Sequence, residues 1–200
     1  MSLADREKWD RKYAEAPAAR PAVNPWLAAC EAEIHDVAFA RSGSAPRALD
    51  VACGLGVESA WLAERGWNVT GVDISEAGLD RARSLAPTVD WRCVDLDEGW
   101  PGPERFDLIV ICRFLDRAML PRLVSARLAP GGWLVHTTFV RSASADRSGG
   151  HGMNPRFLLE PGEHSRLFPE LEIVRAVESP HVALPAGEPM AGLLARKTEP

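Results

Sequence analysis

The sequence predicts an α/β chain built on a doubly wound, mostly parallel sheet, and three observations predict it. Short apolar runs alternate with helical stretches from residue 47 onward, the run 106–112 is apolar almost throughout, and the run 48–52 breaks directly into a loop with Gly54 and Gly56. Alternation at this spacing makes βαβ units and a parallel sheet with helices on both faces. A strand that is apolar on both sides is a central one. A strand that opens into bare backbone presents a crevice at its carboxyl end, where a bulky nucleoside cofactor can lie against the chain.

Residues 3–15 have helix-forming composition, and Trp9 and Tyr13, four apart, share one face of that helix. Pro17, Pro21 and Pro25 interrupt the pattern, and a second helix is expected over 26–40 before the turn signal Ser-Gly-Ser-Ala-Pro at 42–46. Strands are expected at 48–52, 69–72, 89–94, 106–112 and 133–139, with helices at 57–65, 76–85 and 117–128 between them. Residues 140–159 are rich in Ser, Gly, Asn and Arg and exceed what a connector needs, which marks a functional loop. A short helix at 163–168 and strands at 171–177 and 190–196 close the chain.

The 200 residues fit a single domain with a sizeable core. Apolar residues make up 46%, charged residues 26%, and the net charge is −5, so no basic field exists to grip nucleic acid. The N-terminus is polar and charged, and no later segment is apolar enough to span a bilayer, so a cytoplasmic protein without a membrane partner is expected. Cys30, Cys53, Cys93 and Cys112 are too scattered for a metal site or a disulfide scaffold and read as reduced thiols. No metal is expected, and the chain is expected to be a monomer or homodimer.

The segment Gly54-Leu-Gly56-Val-Glu-Ser59 approaches a dinucleotide pattern but carries Ser59 at its third position. Asp50, on the strand leading into that loop, would repel a pyrophosphate and favour a cofactor bearing ammonium and sulfonium groups. The charge therefore points to S-adenosylmethionine over NAD. Asp73 follows Gly54 by roughly 20 residues, the spacing of an acidic side chain that accepts ribose hydroxyls from the tip of the second strand. Asp95 stands just past the third strand, where it can accept from an adenine amino group while Leu96 packs on the ring. Helix capping and turn formation are the competing uses of Asp73 and Asp95.

At these residues the chain resembles the class I S-adenosylmethionine-dependent methyltransferases. The segment ALDVACGLG at 48–56 is similar to the family's first motif, and Val69-Thr-Gly-Val-Asp73-Ile-Ser to its second. Val94-Asp-Leu96 matches the adenine-side motif, and Leu128-Ala-Pro-Gly-Gly132 the turn before the fifth strand. The resemblance implies a Rossmann-like seven-stranded sheet, mostly parallel with the last strand antiparallel, and a cofactor across the carboxyl ends of strands one to four. It assigns Asp50, Ala52, Cys53, Gly54 and Gly56 to the methionine side, Asp73 and Ile74 to the ribose, and Asp95 and Leu96 to the adenine. Arg113 falls to the floor after strand four. Where many relatives carry Arg-Asn after the glycine loop, this chain has Val57-Glu58.

Lys8-Trp-Asp-Arg-Lys-Tyr13 and Asn154-Pro-Arg-Phe-Leu-Leu-Glu-Pro-Gly-Glu163 resemble the tellurite-resistance and thiopurine methyltransferase-like branch, which acts on small molecules. In that branch the N-terminal helix covers the cofactor, which nominates Trp9, and the late loop helps form the substrate pocket. The implied organisation of 1–200 is an N-terminal helical lid (1–40), a cofactor-binding core (47–139), and a substrate loop with C-terminal strands (140–200). The implied reaction is methyl transfer from S-adenosylmethionine, leaving S-adenosylhomocysteine, to a small-molecule acceptor such as a thiol or chalcogen oxyanion. A noncatalytic S-adenosylmethionine-binding module and a nicotinamide-dependent oxidoreductase are the alternatives.

Cys53 has no base near it in sequence, so its backbone is expected to matter more than its sulfur. His136 lies inside an expected strand and reads as a core histidine, whereas His151, His164 and His181 fall in the C-terminal third. His181 is the preferred candidate base because it follows the sixth strand. Arg113, Arg141, Arg147 and Arg156 would together suit an anionic substrate.

Overall fold

The structure, a computed structural model, describes residues 3–100, 102–141, 155–179 and 190–199. Its strands are β1 (Arg47–Val51), β2 (Asn68–Asp73), β3 (Asp90–Cys93), β4 (Phe106–Cys112), β5 (Leu128–Phe139), β6 (Leu171–Ser179) and β7 (Met190–Lys197). They form one seven-stranded sheet in the order β3-β2-β1-β4-β5-β7-β6. The first five are parallel, and β7 runs antiparallel to both β5 and β6. The expected doubly wound sheet with a reversed last strand is therefore present.

The order reverses between β1 and β4, neighbours in space but not in sequence. At such a switch point the connections leave in opposite directions and open a crevice at the strands' carboxyl ends. β5 begins at Leu128 rather than at 133. Leu128 pairs with Phe106, then the register shifts before Leu108 meets Trp133, and the irregularity takes up Pro130 and the left-handed Gly131 (φ 70°).

The helices are α1 (Leu3–Ala14), α2 (Pro25–Ser42), α3 (Val57–Ala63), α4 (Glu76–Leu85), α5 (Met119–Arg127) and α6 (His164–Leu167). One face of the sheet buries Trp26, Leu27, Ile34, Leu62, Trp67, Leu108 and Val110 under α2 and α3; the other buries Ile109, Ile111, Leu120, Val124, Leu134 and Leu193 under α5 and α6.

The reading of 1–40 as one lid divides here. Helix α2 is a core element: Trp26, Leu27, Cys30, Ile34 and Ala38 are buried on the sheet, and its start is fixed by Asn24, whose side chain accepts from the amides of Trp26 and Leu27. Only α1 lies outside the core, with no buried residue of its own. It is moored to α4, where Asp10 accepts from Ser75 Oγ (2.6 Å) and the Ala77 amide (3.2 Å). Arg81 completes the mooring by donating to the carbonyls of Tyr13, Ala16 and Pro17. None of the helices among the described residues is long and apolar enough to cross a membrane.

Candidate active site

Two non-glycine residues among those described hold a left-handed backbone, Ala52 (φ 55°) and Arg113 (φ 58°). Each immediately follows one of the two strands that flank the switch point, Ala52 after β1 and Arg113 after β4. Such conformations persist only where the surroundings over-determine them, and they cluster at functional sites. Here they mark the ends of the two strands that border the crevice.

The loop after β1 is held by a carboxylate. Asp73, the last residue of β2, accepts from the Gly54 amide (2.8 Å) through one oxygen and from the Ser75 amide (2.9 Å) through the other. Burial raises its pKa, and these amides pull in the opposite direction. A carboxylate has about four acceptor positions, so with the Gly54, Ser75 and Ile74 amides bonded to it Asp73 keeps some capacity to accept from a ligand.

Asp50 stands on β1 beneath the loop. Its carboxylate is enclosed, at 1% exposure, and accepts from Ser59 Oγ (2.6 Å). The residue that broke the dinucleotide pattern is thus the partner of the acid in β1. Burial, and secondarily the neighbouring Glu58, push the Asp50 pKa well above the usual range. Glu58, also buried, accepts from the Asn24 amide (3.2 Å); burial raises its pKa, while Arg113, the Asn24 amide and Arg20 lower it. Asp50 therefore presents no oxygen at the surface, and a cation held at the loop is what would favour its charged form. Three buried carboxylates around one glycine loop disfavour a pyrophosphate and favour a ligand with positive centres.

Tyr13, rather than Trp9, meets the loop. A Cβ placed on Gly54 would stand 2.5 Å from the Tyr13 hydroxyl, and one on Gly78 would stand 2.8 Å from its ring. Trp9 stacks on Tyr13 from behind, with centroids 5.5 Å apart, and Lys12 Nζ lies 4.3 Å from its ring. Gly56 is needed for packing. The space its missing side chain leaves, like that at Gly71, is filled by the Trp91 ring.

Asp95 caps a single 3-10 turn (Leu96–Glu98) by accepting from the Asp97 amide (3.0 Å), while Leu96 is buried and Ile74 lies 2% exposed beside them. Cys53 is buried and its pKa pushed well up by burial and then by Asp50, so its thiol is no nucleophile. His136 and His164 are both buried and bonded to one another, with pKa values lowered by burial to about 4 and about 2.

Of the four arginines singled out in the sequence, three lie among the described residues. Arg141 pairs with Glu160 (2.8 Å), the guanidinium of Arg156 lies over Phe157, and Arg113 is exposed at the crevice. His151, His181 and Arg147 lie outside the described residues. Among the described residues no group of His, Cys, Asp and Glu could hold a metal ion.

The segment 156–164 straps the carboxyl ends of β4 and β5. Arg117 grips Glu163 through two bonds (2.5 and 2.8 Å) and donates to the carbonyls of Arg156 and Leu158. Leu159 bonds backbone to backbone with Phe139 and Arg141. Sequence reasoning missed this clamp, as it missed Ser59, Asn24 and the role of Thr137, whose Oγ1 accepts from Asn24 Nδ2 (2.9 Å).

The residues present fit S-adenosylmethionine: a carboxylate at Asp73 beside the loop, and buried acids at Asp50 and Glu58 whose charged forms a sulfonium or ammonium group would favour. Comparison with known proteins agrees. The family model described as "Methyltransferase domain" matches residues 8–179. A ubiquinone biosynthesis O-methyltransferase of Bordetella bronchiseptica is 35% identical over 112 residues, 52% of this chain and 46% of that protein, so the chain spans about half the length of the curated relatives it matches. The N-methyltransferase NodS of Bradyrhizobium japonicum WM9, solved with S-adenosyl-L-homocysteine, superposes with a TM-score of 0.68 at 22% identity over 97% of this chain and 98% of that one. TehB of Haemophilus influenzae superposes with a TM-score of 0.63 at 20% identity, over 84% and 62%. These structures share the fold, and the match across 8–179 places the chain in the methyltransferase domain family, whose class I members take S-adenosylmethionine as methyl donor.

Proposed function

We propose that the chain transfers the methyl group of S-adenosylmethionine to a small-molecule acceptor at the mouth between β1 and β4. The observation that carries this reading is the pair of left-handed residues flanking the switch point, Ala52 and Arg113, set above three buried carboxylates. When bound, the cofactor supplies an electrophilic methyl on sulfur, so the chain's task is to bind, orient and exclude water.

In this reading Asp73 accepts the ribose hydroxyls with Ile74 beside the ribose, and Leu96 packs on the adenine with Asp95 at its amino group. Asp50 and Glu58, ionised when a cation sits beside them, face the methionine end with the backbone at Ala52, Cys53, Gly54 and Gly56, and Arg113 forms the floor. Helix α1 closes the site with Tyr13 backed by Trp9. His136 and His164 are no general bases, because both are enclosed and both resist protonation. His181 is the candidate base for an acceptor that needs one.

An oxygen nucleophile is the favoured acceptor, supported by the relative named an O-methyltransferase. A thiol or chalcogen oxyanion is the second reading, favoured by the likeness of 8–13 and 154–163 to the tellurite-resistance and thiopurine branch. Calorimetry with S-adenosylhomocysteine and NAD tests the cofactor, with binding of the first and not the second expected. A screen of phenols, thiols, selenite and tellurite for S-adenosylhomocysteine release then identifies the acceptor class. No binding of S-adenosylhomocysteine removes the proposal.

A further inference from the structure

Among the described residues, His136 and His164 lie in the core, bonded to each other, where apolar side chains would cost less to bury. His136 Nε2 stands 3.0 Å from the Phe114 carbonyl and His136 Nδ1 stands 2.9 Å from His164 Nε2, with the rings edge to face at 82°. A carbonyl only accepts, so His136 Nε2 carries the hydrogen and its Nδ1 is a bare lone pair. His164 Nε2 must then donate, which leaves His164 Nδ1 as an acceptor, and that atom is buried with no partner. The proton order is fixed along the whole row. Protonating either ring would drive two hydrogens together or strand a charge in the core.

The row ends on the turn that needs holding. Arg113 keeps its left-handed backbone at a steric cost, and two adjacent residues of β5 pin it: Thr137 accepts from the Arg113 amide (2.7 Å), and His136 donates to the carbonyl of Phe114. His164 opens α6 directly after Glu163, the residue gripped by Arg117. The row therefore couples the strap over β4 and β5 to the geometry of the Arg113 turn.

We infer that His164 is a positioning residue, which orients the His136 ring and through it holds the Arg113–Phe114 turn at the acceptor side of the crevice. The consequence for methyl transfer rests on the function proposed above, whereas the coupling itself does not. His164 acts through His136 and touches no reactant.

Three full-length proteins decide it: the wild type, His164→Phe, which keeps an aromatic ring without a donor, and His164→Gln, whose amide can place an N–H near the Nε2 position. Amide hydrogen exchange at Arg113 is expected to accelerate at least tenfold in His164→Phe and to stay within threefold of wild type in His164→Gln, with β1 and β2 unchanged in both. Ring 15N spectra of the wild type are expected to show hydrogen on Nε2 of both histidines. With the best acceptor of the screen, His164→Phe should lose at least tenfold in kcat/KM for acceptor while KM for S-adenosylmethionine moves less than threefold.

Equal exchange at Arg113 in His164→Phe and wild type overturns the inference, as does a His136 ring protonated on Nδ1. Equal loss of both substrates' kcat/KM with a raised KM for S-adenosylmethionine marks general loosening and overturns it too. If His164→Phe fails to fold, the ring spectra and the Arg113 exchange of His164→Gln decide alone. Failure of the wild type to bind S-adenosylhomocysteine removes the methyltransferase reading but leaves the exchange and ring results valid.

Discussion

Replacing Asp73 by Asn tests the cofactor assignment at its strongest point. Each carboxylate oxygen already accepts a loop amide, from Gly54 at 2.8 Å and Ser75 at 2.9 Å, and the proposed reading gives the remaining acceptor capacity to the two ribose hydroxyls. Bonds to a charged acceptor contribute about 1.5–3 kcal/mol and neutral ones about 0.5–1.5 kcal/mol. Asn keeps one oxygen, so one hydroxyl bond falls to the neutral range, while the amide nitrogen cannot accept the other. The expected loss is about 2–3 kcal/mol, or roughly 30- to 150-fold in Kd for S-adenosylhomocysteine. Titration calorimetry reads this directly, with thermal unfolding in parallel to confirm that the variant is folded. A folded Asp73→Asn protein that binds within threefold of wild type would refute the placement of the ribose at Asp73.

Other substitutions probe the frame around the site. Ala52→Gly removes a left-handed alanine (φ 55°), and relief of about 1–2 kcal/mol set against about 0.4–1 kcal/mol of unfolded-state entropy should raise stability by about 0.5–1 kcal/mol in urea unfolding; a lower midpoint counts against strain there. Gly71→Ala drives a methyl into the Trp91 ring and should cost about 1–3 kcal/mol, with a Trp91→Leu background recovering part of it; no recovery means the ring is not the obstacle. Burial holds the His136 pKa at about 4 in the fold against an ordinary 6.5. The unfolded chain therefore takes up a proton first as pH falls, and stability present above pH 6.5 is lost progressively toward pH 4, by about 3 kcal/mol. Against His136→Leu the wild type should lose stability more steeply between pH 6.5 and 4.5, the buried carboxylates being common to both; parallel curves would contradict the buried neutral ring.

What the sequence made legible was local in sequence. The order of strands and helices, the glycine loop and Asp73 each follow from periodicity or from a spacing of roughly 20 residues within one βαβ unit. What it hid was made by distant partners. The Asn24–Thr137 bond joins residues 113 positions apart, and no pattern near either one reports it. Ser59 looked like a failed glycine because its use depends on a strand residue nine positions earlier. Helix α2 was grouped with α1 as a lid because an apolar stripe at 26, 27, 30, 34 and 38 reads alike whether it covers a cofactor or a sheet. The same holds at Gly56, where a motif glycine and a packing glycine leave an identical letter.

The strap has a consequence for how this domain can change its substrate. Val140 and Leu159 form a bridge, Arg141 pairs with Glu160, and Arg117 grips Glu163, so the chain on either side of residues 142–154 is fastened independently of what lies between. Each fastening is made by the residues flanking that stretch, so substitutions outside the strap can alter the acceptor while β4 and β5 keep their register.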